Sequence, residues 1–281
     1  MIAPVVLRTH DPCDLQRIRA PEVQAVVHVP PELPSWLTDL AANVTSRNLA
    51  IERTQLHGVT KAQISRFLDN VLVVRDSAAA EPWFLREFKS DVLGLVDLLG
   101  DITGAACFAF RILTDEPNQH CGFHVDTVPS GAVPIGLLRV YNGAGTDYVD
   151  PTNVTSMRDF YRFLGRRERL VREIERATAL HDDETARARR ESLRQLDAQL
   201  PFLKNPDRLY TAQAGSVVAF KHLDISQHWS DHHAALAWLH CSPMAGDCRL
   251  LVNIMPAHAW RSMPAQSRGA SAPGLRGRVR A

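Results

Sequence analysis

Apolar positions at helical spacing run through the first third of the chain. The first such run follows three prolines, Pro30, Pro31 and Pro34, and predicts a helix from about Pro34. The segment 60–74 repeats the pattern with Thr60 at the N-cap position, and the segment 80–100 predicts a third helix that ends at Gly100. Only residues 25–29, AVVHV, are typical of a strand here, at a sheet edge. Residues 1–104 are thus predicted to form a mainly helical region packed on the following domain.

The hydrophobic pattern changes at Ala105 to short apolar runs separated by Gly, Pro and Asp. Strands are predicted for the segments ACFAFRIL, FHVDTV, GLLRVY, SVVAF, AALAWLH and RLLVNIM. Short strands without alternating helices are typical of an antiparallel sandwich or jelly roll. We therefore predict an α+β chain whose main domain spans residues 105–261.

Residues 156–200 interrupt the strands with a segment dense in Arg and Glu that carries a sparse apolar stripe. The pattern predicts a helical hairpin that turns near residues 181–184. A lid or partner surface is one interpretation, and a solvated insertion packed by one face is the favoured one. Residues 262–281 are rich in Gly, Ser, Pro, Ala and Arg and are predicted to be a disordered tail.

Composition is that of an ordinary globular protein, with 45% hydrophobic and 22% charged residues. The formal net charge of +1 gives no strong nucleic-acid signal. No apolar run approaches the roughly 20 residues of a spanning helix, and the first residues lack the basic start of a signal peptide, so no membrane partner and a cytoplasmic location are expected. Five scattered cysteines give neither a disulfide framework nor a zinc knuckle. The oligomeric state has no signature in the sequence.

The stretch HCGFHVDTV places an imidazole and a carboxylate two residues apart. Side chains alternate along a strand, so His124 and Asp126 share one face while Phe123 and Val125 point to the other. One more histidine would complete a set of two imidazoles and one carboxylate, the facial arrangement of non-haem Fe(II) oxygenases.

His240 is the favoured third ligand, because it ends an apolar run and precedes a turn and a further strand. That strand begins with Arg249, which two paired antiparallel strands would bring near His240. A strand-borne Arg in apolar surroundings needs an anionic partner, and its planar fork suits a carboxylate. Four other histidines leave the third ligand open. They are His222, His228, His232 and His233.

These residues in this order resemble the 2-oxoglutarate- and Fe(II)-dependent oxygenase superfamily, whose fold is a double-stranded β-helix. AGSVVAF (214–220) and LLRVYNGAGTDYV (137–149) resemble the strands before the distal His and after HxD in that fold. The stretches FHVDTVP, YNGAGTDY and HCSP followed by RLLVNI resemble more closely an uncharacterised bacterial family of domains of unknown function.

The resemblance implies Fe(II) ligands at His124, Asp126 and His240, and Arg249 as the partner of the distal carboxylate of 2-oxoglutarate. The implied activity is that of a hydroxylase-type oxygenase with a small-molecule co-substrate and an unknown primary substrate. Arg139 and Tyr141, on the strand GLLRVY, are candidates to line the co-substrate pocket, and Arg111 is similar. A structural salt bridge is the alternative for each arginine.

Two further hypotheses stay open on the residues alone. Cys121 and Cys241 lie near the candidate ligands, and thiolate favours zinc over iron, so a non-catalytic zinc jelly roll for metal storage or sensing is one alternative. The other is a barrel without metal that acts as a scaffold through its charged hairpin.

Overall fold

The computed structural model describes residues 5–74, 82–118 and 120–257. Its α-helices are α1 (Ser35–Thr45), α2 (Lys61–Val71), α3 (Trp83–Thr103), α4 (Met157–Ala179) and α5 (Asp183–Gln199). Its strands are β1 (Val5–Thr9), β2 (Val23–His28), β3 (Thr54–Val59), β4 (Phe108–Asp115), β5 (His124–Val125), β6 (Thr127–Val128), β7 (Ile135–Val140), β8 (Thr146–Tyr148), β9 (Tyr210–Ala212), β10 (Val217–Lys221), β11 (Leu223–Asp224), β12 (Leu239–Cys241) and β13 (Arg249–Pro256). The chain is thus a mixture of helices and strands. None of the described helices is both long and apolar enough to span a bilayer.

Two sheets carry most of the strands. The large sheet has seven strands in the order β1-β2-β10-β7-β13-β4-β3, and only its β1–β2 pair is parallel. The small sheet has four antiparallel strands in the order β5-β12-β8-β9. Strands β6 and β11 form a separate parallel pair.

The sheets and helices form four layers. Along β13, Leu250 and Val252 join a core cluster with α1, α2 and α3, whereas Leu251 joins a second cluster with Tyr148 and Trp238 of the small-sheet side. The large sheet is therefore covered by helices on its outer face and by the small sheet on its inner face. A third cluster joins the outer face of the small sheet to α4 and α5.

The helices of the first third begin as predicted, but the last one ends later. Thr60 caps α2 through a reciprocal capping box with Gln63, which satisfies two backbone donors. Helix α3 continues through Gly100 and ends at Gly104, whose φ of +72° is the left-handed conformation that closes many helices. The predicted end at Gly100 is therefore wrong.

The first third contributes three strands to the large sheet, whereas the sequence predicted one strand at a sheet edge. Strands β1, β2 and β3 join the large sheet, so the region before residue 104 supplies strands as well as helices. The segment 25–29 falls largely within β2, which lies between β1 and β10 and is not at the edge. The boundary predicted at residue 104 stays a prediction.

The charged segment forms the helical hairpin that its pattern predicts. Helices α4 and α5 are joined by residues 180–182, and the apolar stripe of the hairpin is buried against the small sheet. The segment AALAWLH is only partly a strand, because residues 234–236 form a 3-10 turn capped by His233 before β12 begins. The tail predicted for residues 262–281 lies outside the described residues.

Candidate metal centre

Strands β5 and β12 place two imidazoles side by side. Their antiparallel pairing sets His240 opposite His124, and the two ring centroids are 4.3 Å apart. His240 is almost fully buried, while the His124 side chain is partly open. The register of the small sheet therefore selects His240 as the histidine that faces the HxD motif.

Asp126 completes the cluster from the turn between β5 and β6. Its Oδ1 lies 3.8 Å from His124 Nε2, and its Oδ2 lies 3.9 Å from His240 Nε2. One ligand atom from each of the three residues lies within 4.8 Å of the other two. Two nitrogens and one oxygen at this separation can surround one divalent ion and leave its other positions open.

Backbone carbonyls hold both imidazoles in the orientation that a metal needs. His124 Nδ1 lies 2.8 Å from the Gly122 carbonyl oxygen, and His240 Nδ1 lies 3.1 Å from that of Trp238. With Nδ1–H donating to a carbonyl, each ring presents an unprotonated Nε2 to the cluster. The Trp238 ring also stacks on His240 at 4.3 Å, which restricts its rotation.

The electrostatics of the cluster favour the protonation states that bind a cation. Burial lowers the pKa of His240 to about 3, so its ring is neutral at physiological pH. Burial alone would raise the pKa of Asp126, but the neighbouring His240 and His124 outweigh it and hold that pKa well below its usual range. A neutral imidazole and an ionised carboxylate are the forms that ligate metals.

Four histidines were alternatives to His240 as the third ligand, and among them only His222 lies at the cluster. Its Nε2 is 4.0 Å from Asp126 Oδ2, and a Cβ at Gly136 would overlap its ring. It falls outside the set of three whose ligand atoms are mutually close. The remaining three histidines lie in the loop beside α4, where His232 Nε2 is 2.9 Å from the Tyr161 hydroxyl.

Arg249 lies on the inner face of the large sheet. The prediction that its strand pairs directly with the strand of His240 is wrong. Strand β13 belongs to the large sheet and β12 to the small one, because residues 242–248 cross between the sheets. The buried guanidinium donates to the carbonyl oxygen of Gly145 at 3.1 Å and to Ser242 Oγ at 2.5 Å. Next to this contact, the buried Thr146 Oγ1 has no hydrogen-bond partner among the described residues.

The prediction that Arg139 and Tyr141 line the co-substrate pocket is wrong. Arg139 donates to Asp91 Oδ1 at 2.6 Å, and the Tyr141 hydroxyl donates to Asp91 Oδ2 at 2.8 Å. Asp91 lies on α3, so both side chains point to the helical layer and away from the metal cluster. Strand β7 is buried on both faces, so hydropathy alternation could not tell which face each residue takes.

Arg167 of α4 was missed from the sequence and supports the segments that carry the ligands. Its Nε donates to Asp197 Oδ1 at 2.9 Å, and its Nη2 lies 2.9 Å from the Cys121 carbonyl oxygen and 3.1 Å from Met244 Sδ. Cys121 is three residues before His124, and Met244 is four residues after His240. The signal was present, since Arg167 lies four residues after Phe163 on the apolar stripe of the hairpin.

Comparison with known proteins shows a family but no activity. A family described as "Protein of unknown function (DUF1826)" matches residues 9–253. No curated protein matches the sequence. Among the solved structures that resemble the chain at low identity are three dioxygenases or hydroxylases. A rice dioxygenase for auxin oxidation is 11% identical with a TM-score of 0.40, covering 90% of this chain and 82% of its own. The dioxygenase for auxin oxidation 1 from Arabidopsis thaliana is 10% identical with a TM-score of 0.38, covering 91% and 92%. A Pseudomonas putida prolyl-4-hydroxylase is 13% identical with a TM-score of 0.26, covering 81% and 96%.

Proposed function

Since the chain belongs to the family of proteins of unknown function DUF1826, we propose its function from its own site, as an Fe(II)- and 2-oxoglutarate-dependent oxygenase of the hydroxylase type. The observation that carries the proposal is the convergence of His124, Asp126 and His240 within 4.8 Å, although more than a hundred residues separate the last from the first two. The primary substrate is not part of this proposal.

The strand order supports a double-stranded β-helix. From β4 onward, the chain passes back and forth between the sheets, with β4, β7, β10 and β13 in the large sheet and β5, β8, β9 and β12 in the small one. Among these described strands, only β8 and β9 follow each other within one sheet, and β6 and β11 form their separate pair. A chain that coils in this way forms a jelly roll with a cavity between the two sheets. The three proposed ligands lie on β5, on β12 and in the turn after β5.

Two imidazoles and one carboxylate are a donor set that fits Fe(II). When bound, ferrous ion together with 2-oxoglutarate and dioxygen would supply the oxidant for a C–H bond. The Nδ1 hydrogen bonds of His124 and His240 would keep both imidazole rings oriented toward the ion. Trp238, Tyr148 and Phe220 are fully buried beside His240 and would exclude water on that side.

We assign Arg249 to the far carboxylate of 2-oxoglutarate. Three of its contacts are with Ala144, Gly145 and Ser242, and its five N–H donors leave others for a ligand. The unpartnered Thr146 Oγ1 beside it is a further donor for a carboxylate oxygen. Arg249 contacts Ser242, which is two residues after the proposed ligand His240, and this contact supports a carboxylate site near the proposed metal.

A zinc protein for storage or sensing is the alternative, and the position of the cysteines weakens it. No thiol joins the metal cluster found among the described residues. Cys241 packs in the apolar cluster beneath the hairpin, where burial raises the pKa of its thiol to about 12. A thiol with such a pKa stays protonated at neutral pH, and the thiolate is the form that binds zinc.

Anaerobic titration with Fe(II) and then 2-oxoglutarate tests the proposal. We expect a weak visible charge-transfer band in the unchanged protein, no band in Asp126→Ala, and a band that needs more 2-oxoglutarate in Arg249→Gln. Arg139→Gln is the matched control, since it removes a buried arginine from the other face of the same sheet, and it should keep the band.

Two results would contradict the proposal. Tight zinc binding without any effect of 2-oxoglutarate would favour the storage or sensing alternative. Absence of metal binding in the folded protein would favour a scaffold.

A further inference from the structure

Arg111 is a cation at the metal centre to which the proposed function gives no role. It lies on β4 between Phe110 and Ile112, which point to the helical layer, so its own side chain points between the sheets. Its charge reaches Asp126 and lowers the pKa of that carboxyl, after the larger effects of burial and the three imidazoles. Arg111 makes no hydrogen bond or ion pair with any residue in the described ranges.

His222 is a second polar group without a partner at the same place. The side chain is fully buried, and neither ring nitrogen has a hydrogen-bond partner among the described residues. Leaving a buried polar group unsatisfied is costly, so such a group in a cavity indicates that a ligand or water completes it. Its Nε2 lies 4.0 Å from Asp126 Oδ2, on the edge of the metal cluster.

This group is separate from the proposed co-substrate site. Strand pairing places Arg111 opposite Asn253, whereas Arg249 lies opposite Asp115, four residues further along both strands. At roughly 3.4 Å per residue, the backbone positions of the two arginines are offset by about 14 Å along the strands. Arg249 contacts Ser242 and Gly145, whereas the charge of Arg111 acts on Asp126, so the two arginines belong to different parts of the space between the sheets.

We propose that Arg111 and His222 form the subsite for the primary substrate, and that this substrate carries an anionic group, a carboxylate or a phosphate. The inference rests on the proposed function. Arg111 would pair with the anion, and His222 would donate a hydrogen bond to it from a neutral ring. A metal bound to Asp126 would offset the carboxylate that Arg111 faces in the free protein.

The charges around Arg111 agree with this assignment. Besides Asp126, the groups that act on it are Arg53, which adds positive charge, and Asp115, which offsets it in part. Arg53 is exposed and directly precedes the neighbouring edge strand β3. A second cation whose charge acts on Arg111 would favour an anion over a neutral or cationic substrate.

The test uses anaerobic protein loaded with Fe(II) and 2-oxoglutarate, with benzoate and phenyl phosphate as anionic probes and benzamide as the neutral control. Calorimetry should detect at least one anion that binds about tenfold more tightly than benzamide. Arg111→Gln should weaken that binding about tenfold, and Arg53→Gln, at an exposed position, about twofold. Arg139→Gln should leave it unchanged.

Several results would overturn the inference. One is that neither anion binds better than benzamide. Another is that Arg249→Gln abolishes anion binding while Arg111→Gln keeps it, which would mean that the probe occupies the co-substrate site. A third is that Arg111→Gln folds but no longer binds Fe(II), since Arg111 would then serve only to hold Asp126. If Arg111→Gln does not fold, an unchanged affinity in both Arg53→Gln and Arg111→Lys counts against the subsite.

Failure of the proposed function gives a different result. In that case neither calorimetry nor a visible band would detect binding of 2-oxoglutarate. Anion binding to the protein loaded with Fe(II) alone, and its dependence on Arg111, would still be measurable in that case.

Discussion

Each sheet is covered by a helical layer, and each layer encloses a buried arginine paired with an aspartate. In the layer of α1 to α3, Arg139 contacts Asp91 at 2.6 Å. In the hairpin of α4 and α5, Arg167 contacts Asp197 at 2.9 Å. Burial raises the pKa of both aspartates, against the opposing effect of the paired arginine. The two pairs are thus alike in chemistry and in surroundings.

They differ in what else the guanidinium touches. The contacts of Arg139 lie on the side of the α1–α3 layer, with Tyr141 sharing Asp91 and the rings of Trp36 and Tyr141 near its guanidinium. Its Nε has no hydrogen-bond partner among the described residues. Arg167 reaches out of its layer to the Cys121 carbonyl and to Met244. The next residue, Gly122, accepts the hydrogen bond that orients His124.

The comparison shows that an insertion can support a site that it does not line. The hairpin supplies none of the three proposed ligands, yet it holds the turns on either side of them. The α1–α3 layer stabilises the large sheet and, in the part of the chain that the structure describes, has no such connection. The predictions below separate stability from metal binding on this basis.

Arg167→Ala should have the largest effect, because it affects both properties. Removing one partner of a buried ion pair leaves a buried charge and costs roughly 3–5 kcal/mol in unfolding free energy. Loss of the contacts to residues 121 and 244 should also weaken metal binding by about tenfold, in line with other supporting residues of metal ligands. Urea denaturation and metal titration of the folded variant measure the two effects. Unchanged metal affinity would show that the hairpin is only a covering layer.

Arg139→Ala should lose stability without losing metal affinity. It leaves the buried Asp91 unpaired, so we expect a loss of roughly 3 kcal/mol in unfolding free energy. Metal affinity should stay within about twofold, because the side chain lies on the outer face of the sheet. A strong loss of metal binding in the folded variant would mean that the two layers do not differ as the structure indicates.

Acid should lower the stability of the folded protein through His240, which lies between the sheets and belongs to neither arginine–aspartate pair. His240 has a folded pKa of about 3, below its usual value near 6.5, so the unfolded chain binds its proton first as the pH falls. Stability should therefore fall from about pH 6.5 toward pH 3, by on the order of 2 kcal/mol at pH 5. Asp126 faces His240 and opposes this shift, while His124 and His222 reinforce it.

Urea denaturation of the metal-free protein between pH 7 and pH 5 measures this slope. His240→Gln should make it shallower, whereas Arg189→Ala, which removes an exposed ion pair, should leave it unchanged. An equal slope in the unchanged protein and in His240→Gln would contradict the assignment.

Arg189→Ala is expected to have the smallest effect and serves as the surface control for the hairpin. Arg189 pairs with Glu173 at 2.9 Å across α4 and α5, but both side chains are exposed. Such pairs contribute at most about 1 kcal/mol. Unfolding free energy should fall by less than that and metal affinity should not change. A larger loss of metal affinity here would show that any damage to the hairpin disturbs the centre.

Local spacing predicted many elements of the fold. The cap at Thr60, the helical hairpin and the strand around His124 each depend on residues within four positions, and such patterns are visible in the sequence. The short strands β8, β9 and β11 were missed, because two or three residues are too few to show a period. The run AALAWLH was extended too far, because a 3-10 turn and a strand are both apolar there.

The sequence by itself determined that His124 and Asp126 lie close together, because they are two residues apart in an extended segment, although the predicted strand is interrupted at Asp126. It also proposed His240 and Arg249, on a turn and an apolar strand. Only the tertiary structure decided that His240 lies opposite His124, that Arg139 and Tyr141 turn to the helices, and that Arg167 reaches the ligand segments. The physical reason is that strands buried on both faces have no polar side to mark their orientation, and that contacts between distant segments depend on sheet register, which no local pattern records.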